Sequence, residues 1–273
     1  MEEIMTNWCI FIENESDYKW WSSQSLINLS LMPKINSWNY EYNQLEYKEK
    51  YGSNCCTIYA PIWMYSNNFN FKLNADIRTK LVDYRTKLKD FDPKIWWYLV
   101  DWVKSVYDIQ KDCLFYQIPK QQVKRLNDLW YYVNIWIYAW WDVNKADDDW
   151  VFTKDEIMNI VNANLWHSTL LKKDYRHDSY VWIKDFNQTK IEDMDKFINS
   201  WFVYQNAYVL IPNKVIKRYF ENLLKNKTYN QAFEYYFKLS ETLYKKETQI
   251  LQYVLQMKYL WKVNSEELKQ LIF

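Results

Sequence analysis

The sequence predicts an α+β fold: a helical part first, an antiparallel β part second, and more helix at the C-terminus. Three observations carry this. Apolar residues recur at helical spacing over 74–90 and 93–109, the second stretch placing Ile95, Leu99, Val103 and Val106 on one face. Val133, Ile135 and Ile137 then alternate within 131–139, and 165–171 and 180–186 read as two strands joined by a polar turn. From 213 onward the chain is strongly helical, and 230–260 holds apolar residues at helical spacing with no glycine or proline to interrupt it.

Taken in order, residues 1–50 show no sustained helical period, with 10–12 as a short strand and 33–43 as an extended approach to a turn. Gly52 provides the backbone freedom of that turn, and an apolar run begins at Cys56. A buried helix is expected over 56–66. Pro61 inside it removes one hydrogen bond and predicts a kink or a late helix start. Pro93 suits a helix start, and 121–129 closes one more helix before the switch to strands. Residues 191–202 read as helix rather than strand end. The C-terminal helices form an appended subdomain, which divides the chain into 1–216 and 217–273.

A chain of 273 residues can bury a substantial core. Its net charge of +1 argues against a nucleic-acid grip built on a basic surface. The four cysteines have neither zinc-site nor disulfide-scaffold spacing, so a reducing compartment is the default. Residues 1–5 lack the basic and apolar regions of a signal peptide, and no stretch reaches about 18 apolar residues. A soluble, cytoplasmic protein with no membrane or nucleic-acid partner is expected.

Glycine is almost missing. Average usage would give about nineteen, whereas the chain has one glycine and seventeen tryptophans. Many of the tryptophans stand where glycine is expected, as at Trp130, Trp150 and Trp166. This composition predicts that several are UGA codons decoded as glycine in the source. The competing reading is a true aromatic-rich protein that stacks on sugars or bases.

Chemistry enters at Cys56. A thiol at the start of a helix faces roughly half a positive charge, which favours the thiolate nucleophile. The segment Gly52-Ser53-Asn54-Cys55-Cys56-Thr57-Ile58-Tyr59-Ala60 resembles the active-site turn of papain-like cysteine peptidases, Gly-Ser-Cys-Trp/Thr-Ala-Phe-Ala. Farther on, Trp166-His167 opens the first strand of the hairpin, and Ile183-Lys184-Asp185 ends the second. They are similar to that family's Gly-His-Ala and Ile-Lys-Asn segments. Residues 207–212, Ala-Tyr-Val-Leu-Ile-Pro, look like its closing strand, Gly-Tyr-Phe-Trp-Ile-Pro.

The resemblance covers roughly 33–216 and implies a two-lobe fold, one lobe helical and one β, with a cleft between. It implies a cysteine endopeptidase acting on a peptide or protein substrate without a cofactor or metal. Cys56 would be the nucleophile, His167 the base, Asp185 the group orienting the imidazole, and Gln44 an oxyanion donor. Gln44 lies twelve residues before Cys56, about twice the family spacing, so an insertion is needed. The family's Ser-Trp after the asparagine is replaced by Phe186-Asn187. A rival placement takes His177 as base with Asn199-Ser200-Trp201 as a literal Asn-Ser-Trp.

Two other readings stand beside the peptidase: a catalytically inactive papain-fold binding or structural protein, and the aromatic-rich sugar or nucleic-acid binder. The acidic stretch 145–156 reads as a loop leading into a capped helix, Thr153 and Glu156 forming the box. A calcium loop would need Lys145 as its first ligand. The C-terminal helices could pack on the domain, cover its cleft or hold a partner.

Overall fold

The computed structural model describes residues 31–42, 56–75, 113–138, 166–184, 187–200, 202–240, 243 and 245–259. The fold is α+β. Six helices are present among these residues: α1 (Cys56–Phe69), α2 (Val123–Asp128), α3 (Met194–Asn199), α4 (Asn213–Leu224), α5 (Tyr229–Ser240) and α6 (Lys245–Lys258). Six strands, β1 (Cys113–Pro119), β2 (Val133–Tyr138), β3 (Trp166–Asp174), β4 (Ser179–Lys184), β5 (Asn187–Ile191) and β6 (Val203–Pro212), form one antiparallel sheet in the order β1-β6-β2-β3-β4-β5.

Strand alternation gives each face its own core. Val133, Ile135 and Ile137 of β2 join Leu171, Trp182, Val209 and Ile211 on one face, where α4 and α6 bring Ile216, Phe220, Ile250 and Leu251. Trp136, Leu170, Ile183, Tyr208 and Leu210 point the other way, onto Tyr59, Ile62, Trp63 and Met64 of α1. The segment 31–42 is a strap between them: Met32 and Ile35 belong to the first core and Tyr42 to the second. Buried charges fasten α6 to the β1 edge. Lys246 Nζ donates to the Cys113 carbonyl at 3.1 Å, and the Tyr116 hydroxyl donates to Glu247.

Capping chemistry sets several boundaries. Asp193 accepts from the Lys196 N–H at 2.9 Å to start α3, and Thr228 with Gln231 forms a reciprocal box that starts α5. At the end of α2 the Trp130 N–H reaches the Asn127 carbonyl at 2.8 Å and the Tyr131 N–H reaches the Leu126 carbonyl at 3.0 Å. This is the Schellman pair of bonds, whose left-handed position is normally glycine. Here it is Trp130, at φ 70°.

The strand expected over 131–139, the hairpin and the closing strand over 207–212 are β2, β3 with β4, and β6, the last starting four residues earlier than expected. The helix expected over 56–66 begins at Cys56, passes through Pro61 and reaches Phe69. The helical stretch expected over 230–260 is two helices, α5 and α6. Unbroken, it would extend about 46 Å. Broken, with Leu243 buried between the two parts, both helices reach one core. The boundary expected at 216 lies within α4, where Ile216 and Phe220 share that core. The helices expected over 74–109, the acidic stretch 145–156 and the short strand at 10–12 lie outside the described residues. Among the described residues, no helix is long and apolar enough to cross a membrane.

Candidate active site

Cys56 is the first residue of α1 and is 3% exposed. The far end of that helix is fixed by Asn68. Its Nδ2 donates to the carbonyls of Tyr132 and Leu210 at 3.0 and 3.1 Å, and its Oδ1 accepts from the Tyr132 N–H at 2.7 Å. One side chain thereby ties α1 to the start of β2 and to β6. Asn67 does the same for the strap: it accepts from the Tyr40 N–H at 2.7 Å and donates to the Tyr40 carbonyl at 3.0 Å. Ser66 and Tyr42 share a hydroxyl contact of 2.5 Å. From Asn68 back to Cys56 the helix runs about 18 Å, and it lies against β2, β3 and β6.

His167 is the second residue of β3, half-buried, with its Nε2 shielded from solvent. It stands in register with Ile137, so alternation places it with Thr169 and Leu171 on the face away from α1. Its neighbour Ser168 is on the α1 side, where Asn134 Nδ2 donates to Ser168 Oγ at 2.8 Å and to the Thr169 carbonyl at 2.9 Å. His167 and α1 therefore lie on opposite faces of the sheet. Leu170 pairs with Ile183, which brings the start of β3 and the Lys184 end of β4 to the same end. Lys184 and Asn187 pair with each other, flanking Asp185. Asp185 and Gln44 themselves lie outside the described residues.

His177 is at the opposite end of the hairpin, in the turn between β3 and β4. It is exposed, and its Nδ1 contacts Asp174 Oδ2 at 2.7 Å, which holds the Asp174 carboxyl below the usual carboxylate range. Asn199 ends the six-residue helix α3, and its amide donates to the Asp195 carbonyl at 2.9 Å. The hairpin thus separates the two histidines, His167 near the start of β3 and His177 in the turn beyond its end.

Sequence reasoning missed the polar layer beneath α1. Ser66, Asn67 and Asn68 form a polar triplet inside an otherwise apolar helix, and buried polar groups need partners. That triplet was the available signal. Lys172 belongs to the same layer. Its Nζ donates to Asn39 Oδ1 and lies 5.6 Å from the Tyr132 ring. Burial pulls its pKa down to about 8, against the opposing pull of Glu41 and Asp174. Among the described residues, no three His, Cys, Asp or Glu converge as a metal site.

No family model matches the chain, and no curated protein or solved structure matches it.

Proposed function

We propose that the chain is a papain-like cysteine peptidase. The observation that carries this reading is α1, a helix that begins at Cys56 and lies across an antiparallel sheet, one of whose strands opens at His167. With α1 and His167 on opposite faces of that sheet, the reading requires the two side chains to meet past its end.

In this mechanism the Cys56 Sγ attacks a peptide carbonyl carbon and its proton passes to His167. The tetrahedral oxyanion is held by backbone N–H groups and Gln44. Collapse breaks the C–N bond, His167 returns the proton to the departing amine, and water then cleaves the thioester by the same steps. Asp185 accepts from the other imidazole nitrogen and orients the ring.

Residue 130 is glycine in the natural protein on this proposal, through a UGA codon read as tryptophan in the present sequence. Support comes from the Schellman bonds and the φ of 70° at Trp130. UGG at that codon would remove it.

The burial of Cys56 favours a second reading, a catalytically silent protein on the same scaffold. Alkylation by iodoacetamide separates the two. The peptidase reading expects Cys56 to react much faster than the buried Cys113, and Cys56→Ala to abolish peptide hydrolysis. Equal labelling of both thiols, with hydrolysis unchanged in Cys56→Ala, would overturn it.

A further inference from the structure

The last turn of α4 and one side of α5 line a groove of about 450 Å³ that contains none of the candidate active-site residues. Its volume is in the range of small-molecule sites, about 300–1,000 Å³. Leu223 and Tyr235 give it an apolar floor, both half-buried and packed on the core of α4 and α6. Lys227 stands at the turn between the helices, while Glu234 and Lys238 follow Gln231 along one stripe of α5.

The turn is held in place without help from these charges. Lys258 Nζ donates to the Lys225 and Lys227 carbonyls at 3.2 and 3.3 Å, and the Tyr259 hydroxyl donates to the Lys227 carbonyl at 2.8 Å. Gln231 Oε1 accepts from the Thr228 N–H at 3.0 Å. The groove is therefore formed before anything enters it. Glu234 and Lys238 have the favoured i, i+4 order, yet no ion pair joins them, whereas Lys217 and Glu221, in the poorer order, pair at 3.7 Å. Lys227 Nζ lies 5.3 Å from the Tyr235 ring centroid. Two cations and one carboxylate thus surround an apolar floor with no ion pair among them.

We propose that this groove binds a small zwitterion, an α-amino acid with an apolar side chain. The side chain rests on Leu223 and Tyr235, Lys227 and Lys238 take the carboxylate, and Glu234 takes the α-ammonium. Glu234 and Lys238, about 5–6 Å apart at Cβ, can reach the adjoining charges of one such ligand. A simple carboxylate would leave Glu234 unanswered, and a simple amine would leave both lysines so. The site is built from α4, α5 and the turn between them and is independent of the peptidase reading.

Nuclear magnetic resonance titration of the full chain with L-phenylalanine tests this. Saturable amide shifts over 222–238 are expected, with phenylacetate and phenethylamine, each lacking one charge, binding roughly tenfold more weakly. Glu234→Gln should weaken phenylalanine by a similar factor and leave phenylacetate unchanged, whereas K227M/K238M should weaken both. Lys190→Met, on β5, should change neither, and unaltered resonances of 207–212 in β6 report that each variant keeps the fold. The absence of saturable shifts over 222–238 would overturn the proposal. So would equal affinity for the three probes, or equal affinity for phenylalanine in the native chain and K227M/K238M.

Discussion

Viewed from α4 and α6 the sheet presents aliphatic and aromatic carbon: Ile135, Leu171, Val209 and Ile211 meet Ile216, Phe220, Ile250 and Leu251. The α1 face differs in kind, because Asn68, Asn134, Ser168 and Lys172 are buried among its apolar side chains and carry directed hydrogen bonds. Apolar burial is non-directional and supplies stability. Buried amides are costly unless each partner is in place, so they select one position of the helix over its neighbours. The difference teaches that one face holds the sheet together while the other fixes the register of the helix that begins at Cys56.

Substitutions sharpen the contrast, the largest effect first. Phe220→Ala on the apolar face should cost about 3–5 kcal/mol in denaturant unfolding and leave the alkylation rate of folded Cys56 unchanged. On the polar face Lys172 gives a pH signature. Burial lowers its folded pKa to about 8 from the ordinary 10.5 of a lysine, so between these values the unfolded chain binds more protons and stability rises with pH. The burden of charging the buried amine is full below about pH 8. Lys172→Met should flatten that rise by roughly 2–3 kcal/mol, read from unfolding at pH 8 and pH 10, before the buried Tyr132 hydroxyl, held well above its usual pKa, titrates. A slope identical in both proteins would show that Lys172 is solvated.

Asn68→Ala should cost about 1–3 kcal/mol by leaving the Tyr132 and Leu210 backbone groups unsatisfied. Unlike Phe220→Ala, it should also change the Cys56 alkylation rate in the folded protein. The smallest effect concerns the tryptophans. Trp130→Gly should stabilise by about 1 kcal/mol, relieving a left-handed residue, although it gives up the Lys34 Nζ contact 3.6 Å from the ring. Trp182→Gly should be strongly destabilising, because that ring is buried and its Nε1 donates to Thr169 Oγ1 at 3.0 Å. Similar destabilisation by both would mean that position 130 is a tryptophan by design.

Where the pattern was local, the sequence was readable. The alternation of Val133, Ile135 and Ile137 and the hairpin on either side of 175–178 announced β2, β3 and β4. The break between α5 and α6 was not readable, since no glycine or proline stands there and only the common core requires the turn at Leu243. The pairing of β6 with both β1 and β2 was equally hidden, being a long-range choice made by burial. Of the candidate site, Cys56 at a helix start and His167 near a strand start follow from the turn and the hairpin. The bonds that seat the helix, Asn68 to Tyr132 and Leu210, join residues 64 and 142 positions apart. No local pattern announces them.

The rate of Cys56 alkylation by iodoacetamide at one fixed pH, compared between the native chain and His167→Gln, addresses the central assignment most directly. A sulfur activated by the His167 imidazole predicts rapid modification in the native chain and much slower modification in the variant. Equal rates in the two proteins, neither faster than that of Cys113, would contradict the assignment of this sulfur and this imidazole to one active site.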